Sequence, residues 1–113
     1  SMSKLENFMK LLFKRYNNKY GKKQTILFTV QDLLDIYNNQ NGKCHITNHQ
    51  LDTVVDDKQR LDNIWNVSIM TFSNCKIIKK SDICLVCNLI YSSRKQYNLS
   101  EDELRLIYRK IIM

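Results

Sequence analysis

The spacing of apolar residues changes once along the chain, near Gly42, and that change restricts the architecture more than any other feature. Before it, Leu5, Phe8, Met9, Leu12 and Tyr16 recur every three or four residues. That is the single apolar stripe of a helix over residues 3–19, with Lys10, Lys14 and Arg15 off the stripe and Gly21 as a stop signal. Residues 25–28 are a short apolar stretch, either a strand or an extended lead-in. Thr29 and Asp32 have the spacing of a capping box, which opens a second helix carrying Leu33, Leu34, Ile36 and Tyr37. Beyond Gly42, Trp65, Val67, Ile69 and Thr71 alternate with Asn66, Ser68 and Met70, the period of a strand. Ser73 and Asn74 read as a turn, residues 76–79 as a short second strand, and Ser81 or Asp82 as the cap of a helix over 83–93. Ser100 and Glu103 form another capping box, with Leu104, Ile107, Tyr108 and Ile111 on one face of the closing helix. The expected order of helix, helix, strand pair, helix, helix makes a mostly helical α+β domain.

The 113 residues suit one domain, 1–113, with no repeat and no Pro- or Ser-rich linker. No apolar run approaches the roughly 18 residues of a membrane span, and no secretory h-region opens the chain, where Ser1 and Met2 read as a cloning scar. With only four cysteines, this predicts a reduced, intracellular protein, cytoplasmic or nuclear. The net charge of +7 is unevenly divided: +6 over residues 1–23, −3 over 24–75 and +4 over 76–113. Cationic ends around a mildly acidic middle attract polyanions such as nucleic acid. The chain has no Ala and no Pro and is rich in Lys, Asn, Ile and Tyr, a bias that an AT-rich, virus-like genome would also produce.

The side chains best suited to chemistry lie in Asn41-Gly42-Lys43-Cys44-His45-Ile46-Thr47 and in Cys84-Leu85-Val86-Cys87-Asn88. A C-x-x-C pair brings two sulfurs together where they can share a tetrahedral zinc. Cys44 is the best third ligand, with His45, His49 or Cys75 as a fourth. Alternatively the cysteines are small buried hydrophobes. Asp52, Asp56, Asp57 and Asp62 form the one acidic cluster near a histidine, and read as a solvated loop rather than a cation site.

A helix leading into Gln40-Asn41-Gly42-Lys43-Cys44, a hairpin, and a C-x-x-C-N that opens a helix resemble the HNH (ββα-metal) endonucleases. The likeness is nearest to the phage recombination endonuclease VII group and covers residues 30–112. It implies a ββα hairpin–helix unit flanked by N- and C-terminal helices, with residues 1–23 as a basic amphipathic helix outside it. It further implies one structural zinc, here on Cys44, Cys84, Cys87 and His49. In that family a strand supplies a histidine general base and ligands for a catalytic divalent metal. Here the first C-x-x-C pair reads Cys44 to Thr47, and the strand reads Val67-Ser68-Ile69-Met70-Thr71-Phe72. Asp82 stands where an Asn is usual near the start of the ββα helix, and both histidines precede the strand.

The resemblance therefore implies a nuclease scaffold without its general base or catalytic metal, expected to bind nucleic acid, DNA first, without cutting it. The expected contacts are Lys10, Lys14, Arg15, Lys19, Lys22 and Lys23 at the N-terminal end, Lys76, Lys79 and Lys80 beside the hairpin, and Arg94 and Lys95 on the ββα helix. Tyr16, Tyr20, Tyr91 and Tyr97 lie among these cations and either stack on bases or belong to the core. Two other readings stand beside this one. One is a protein-interaction module, with a protein partner or a second copy docking on the N-terminal helix. The other is a metal-dependent endonuclease with relocated ligands.

Overall fold

The first helix, α1 (Lys4–Tyr20), starts where the Ser3 hydroxyl accepts the Glu6 N–H, and it buries Phe8, Met9, Leu12 and Tyr16. The apolar stripe of the N-terminal helix is thus turned into the core and is not an open partner face. The computed structural model describes residues 3–56, 58, 60–61, 63–73 and 75–112, the side chains of 110–112 excepted. Asn74, Asp57, Asp62 and Ile111 of the sequence reading fall wholly or by their side chains outside that set.

After Gly21 the chain crosses in β1 (Thr25–Ile26) and enters α2 (Val30–Asn39) through the expected capping box. The Thr29 hydroxyl accepts the Asp32 N–H, and the Asp32 carboxylate accepts the Thr29 N–H. The helix ends in a Schellman arrangement: Gly42 N–H donates to Tyr37 O and Asn41 N–H to Asn38 O. Asn41 and Gly42 both take positive φ, 55° and 71°. A Cβ on Gly42 would come within 2.9 Å of the Tyr37 hydroxyl, so glycine is required there for space as well as for backbone conformation.

A long connection then reaches β2 (Val67–Thr71), followed by β3 (Ile77–Ile78), a 3-10 turn (Lys80–Asp82), β4 (Ile83–Cys87), α3 (Asn88–Tyr97) and α4 (Glu101–Ile112). Two small sheets result. β2 and β4 pair antiparallel, Val67 opposite Cys87 and Thr71 opposite Ile83, while β1 and β3 pair parallel. The protein is an α+β domain with four helices and two small sheets among the described residues.

Two sequence expectations change. Residues 83–87 are strand, not the start of a helix, because β-branched Ile83 and Val86 pair with residues of β2. The Asp82 carboxylate instead accepts the Lys79 N–H in the 3-10 turn. Ile77 and Ile78 pair with Thr25 and Ile26 rather than forming the second strand of a hairpin with β2.

The core lies between α1, α2, the β2–β4 pair and α3, with Phe28, Leu33, Leu85 and Ile90 almost wholly enclosed. Gln40, at the end of α2, acts as a substitute strand. Its amide nitrogen donates to Leu85 O, and its carbonyl oxygen accepts the Leu85 N–H, at 2.9 and 3.0 Å. At α4 the Ser100 and Glu103 box forms as expected and Leu104 is buried, but Ile107 is half exposed and Leu106 more so. No helix among the described residues is long and apolar enough to cross a membrane.

Candidate nucleic-acid interface

The core stripe of α1 determines where its last turn emerges. Tyr16 is buried, with its hydroxyl donating to Gln24 Oε1 at 2.9 Å, and Tyr20, one turn further, lies against it with ring centroids 4.7 Å apart. On the other side, Ile90 is buried under α3, so Tyr91, Arg94 and Lys95 follow on the flank that faces the end of α1. The two elements meet at the hydroxyls of Tyr20 and Tyr91, which share a short hydrogen bond.

Cations gather on this tyrosine pair. Lys19 Nζ lies 5.4 Å from both ring centroids and donates to the Tyr91 hydroxyl at 3.3 Å. Lys95 Nζ lies 5.9 Å from the Tyr20 ring and 5.5 Å from the Tyr91 ring. Both distances are within cation–π range. Arg94 stands 4.8 Å over the Phe72 ring and donates to Leu99 O at 2.6 Å, which fixes its guanidinium at the edge of the same region.

Between these groups and β2 opens a cleft of about 240 Å³, lined by three tyrosines, Arg94, Lys95, Gln24, Asn98 and Ile69 to Thr71 of β2. Among the described residues its lining contains no carboxylate, imidazole or thiol. Burial, and then the neighbouring Tyr20, push the Tyr16 hydroxyl up to about 12. Burial and the hydrogen bond with Tyr91 also raise Tyr20. Both hydroxyls therefore keep their protons at neutral pH and are not bases.

Of the eleven basic residues expected at a nucleic-acid surface, Arg94 and Lys95 line this cleft, and Lys19 meets Lys95 over the tyrosine pair at its edge. Arg15 borders an adjoining depression of about 120 Å³. Lys10, Lys14, Lys22 and Lys23 are exposed along and just beyond α1. Lys76 and Lys79 are exposed near β3, and Lys80 is paired with Asp35 at 3.2 Å. Tyr97 is exposed and outside the cleft lining. The sequence placed Tyr20 and Tyr91 among cations, but the joint between them spans 71 residues and has no local signature.

The cysteines form a separate cluster. Cys44 Sγ accepts the N–H groups of Thr47 at 3.5 Å and Cys87 at 3.4 Å. The Cys87 thiol, then Thr47 and these backbone groups, hold the Cys44 thiol down to about 5. The same bond and burial push Cys87 upward, and burial pushes Cys84 up to about 12. The expected fourth ligand does not join them: the His49 ring stacks on Trp65, centroids 3.8 Å apart, with Nδ1 against Gln50 O. His45 Nε2 lies 3.2 Å from Arg105 Nη2 and 3.5 Å from Glu101. Among the described residues no three His, Cys, Asp or Glu side chains are arranged as a metal-holding group. Thr47, three residues after Cys44, stands where a second C-x-x-C pair would carry its other cysteine.

Of the acidic cluster, the described members Asp52 and Asp56 serve turns. Asp52 accepts the Val54 N–H, and Asp56 accepts the N–H groups of Lys58 and Arg60. Asn88, which follows the C-x-x-C pair and is the first residue of α3, ties the connection before β2 to α3. Its amide donates to Leu61 O and Asn63 O, and its carbonyl oxygen takes a short bond from Ser68. No protein-family model, curated protein or solved structure matches the chain.

Proposed function

We propose that this protein binds nucleic acid, DNA first, through the cleft between the end of α1 and the β2–α3 edge, and does so without hydrolysing it. One observation carries the reading: Arg94 and Lys95 line a concave surface that holds hydroxyl and amide groups but no acid among the described residues, and Lys19 meets Lys95 on the Tyr20–Tyr91 pair where that cleft joins the depression beside it. A concentration of positive charge in a cleft with apolar walls focuses the field on an anionic ligand. The order of two antiparallel strands followed by a helix supports a degenerate HNH-like ββα unit. On that reading β2 is the strand that would bear the catalytic groups. It carries Ser68, Ile69, Met70 and Thr71 instead, and Ile69 and Met70 are buried. None of these activates water or binds a hard divalent metal well.

The test is anisotropy of a labelled 20-base-pair duplex and of a single strand across a salt series. Three phosphate contacts give a slope of log K against log salt of about −2.7 on duplex and about −2 on single strand. The joint variant K19A/R94A/K95A should flatten that slope toward zero. A wild-type affinity independent of salt overturns the reading, and so does Mg²⁺- or Mn²⁺-dependent cleavage that copurifies with the protein and disappears in the triple variant.

A further inference from the structure

The arrangement of charge in the cleft is more specific than a basic surface requires. Lys19 comes from α1 and Lys95 from α3, yet both ammonium groups lie within 6 Å of the same two ring centroids. Neither has a carboxylate partner among the described residues. Two like charges gathered at one place without an acid repel each other, and a bound anion removes that repulsion. The rings hold the ammonium groups, so the faces of Tyr20 and Tyr91 are occupied by cations rather than open to a stacked base. One hydroxyl proton is used in the bond between the two tyrosines, so the pair, which also accepts from Lys19, adds one free neutral donor at the same point.

We propose that Lys19, Lys95, Tyr20 and Tyr91 form a seat for the terminal phosphate of a nucleic-acid strand. This rests on the nucleic-acid reading and narrows it from backbone to strand end. Charge matching favours an end. A phosphodiester carries a single negative charge, whereas a phosphate monoester, with a second pKa near 6, approaches two at neutral pH. Two ammonium groups without a carboxylate partner among the described residues, and the one hydroxyl proton left free, match the dianion. The shape agrees: Tyr20 and Tyr91 border both the cleft of about 240 Å³, which Lys95 lines, and the depression of about 120 Å³, which Lys19 lines, and such a concave junction admits a chain terminus more readily than the convex flank of a duplex.

The experiment compares three labelled single strands of one sequence, ending in a 5′-phosphate, a 3′-phosphate or hydroxyls only, with inorganic phosphate as competitor. A phosphoserine peptide of matched charge is the fourth probe. One of the phosphorylated ends should bind about tenfold more tightly than the hydroxyl strand, and millimolar inorganic phosphate should remove that advantage. Lys95→Ala and Tyr91→Phe should each reduce the preference at least threefold, with circular dichroism verifying the fold, while Lys58→Ala, outside the cleft, leaves it intact. Equal affinity for all three strands overturns the end-recognition proposal and leaves the nucleic-acid reading standing. Failure of every strand to bind at low salt overturns both. Tighter binding of the phosphopeptide than of any strand overturns the proposal and assigns the seat to protein ligands.

Discussion

Removing the Asn66 side chain should destabilise the protein more than its small size suggests. Asn66 is 1% exposed and ties the long 43–66 connection to the sheet. Its amide nitrogen donates to Asp52 O at 3.1 Å and Val54 O at 3.0 Å, and its carbonyl oxygen accepts the Asn63 N–H at 3.0 Å. Its backbone carbonyl accepts the N–H of Asn88, where α3 begins. Asn66→Ala removes three side-chain hydrogen bonds, each contributing about 1 kcal/mol net. Val54 is largely exposed, so water can reach its carbonyl after truncation and the loss should stay at about 2–3 kcal/mol. Asn66→Asp keeps the acceptor but directs a carboxylate at two carbonyl oxygens, and should cost at least as much. Asn63→Ala, which loses one exposed bond to the Trp65 N–H, should cost less than about 1 kcal/mol. Equilibrium urea unfolding at pH 7 measures all three, and for Asn66→Ala the transition should also move down by roughly 10 °C. An Asn66→Ala variant within 1 kcal/mol of wild type, at unchanged m, would refute the idea that this side chain anchors the connection.

Stability should fall at alkaline pH. Cys84 and Tyr16 are both raised to about 12 by burial, from ordinary values of 9.0 and 10.0. Their contribution is intact below pH 9 and is lost as pH rises toward 12. Cys44 works in the opposite sense: held down to about 5, it contributes fully above pH 9 and loses that contribution as pH falls through 5. Thermal melts should therefore peak near pH 8–9, and Tyr16→Phe should flatten part of the alkaline descent; a level profile from pH 9 to 12 contradicts this account. If the cysteine cluster is a degenerate zinc knuckle, Thr47→Cys should complete a second C-x-x-C pair with Cys44, giving one tightly held zinc per chain by mass spectrometry and a higher melting temperature. If the variant takes up no more metal than wild type, Thr47 does not stand at a ligand position.

Features set by neighbouring residues were legible in the sequence. Both capping boxes, Thr29 with Asp32 and Ser100 with Glu103, form as their spacing predicts, because their geometry lies within one helical turn. The alternation over 65–71 likewise marks β2. What escaped depends on partners distant in sequence. The stretch from Ile83 to Cys87 is too short for its period to separate strand from helix, and the strand pairing with Val67–Thr71 decides it. Ile77 finds its partner more than fifty residues earlier, at Thr25. The candidate site follows the same rule. Lys19 and Lys95 were visible as charges, but their convergence exists only because Tyr20 meets Tyr91. The cysteine cluster was partly visible: Cys44 and Cys87 come together, while His49 is held away by Trp65, a stacking contact with no periodic signature.

The position of α1 explains why the cationic N-terminal segment cannot be regarded as a tail added to a folded unit. Phe8, Met9, Leu12 and Tyr16 are among the buried core residues, and the helix packs on both α2 and β2. The same i, i+4 step that buries Tyr16 brings out Tyr20, and the residue before it supplies one of the two ammonium groups at the cleft. A disordered basic arm would hold its charges in a diffuse, mobile distribution, and its removal would weaken binding while leaving a folded remainder. Here deletion of residues 1–23 removes four buried core residues and one wall of the cleft at once. The fold and the binding surface should therefore be lost together. Charge-removing changes at Lys10, Lys14, Lys22 and Lys23, which are exposed and away from the cleft lining, should alter only the long-range attraction. The net charge draws a polyanion toward the molecule, while the core packing of α1 determines where it is held.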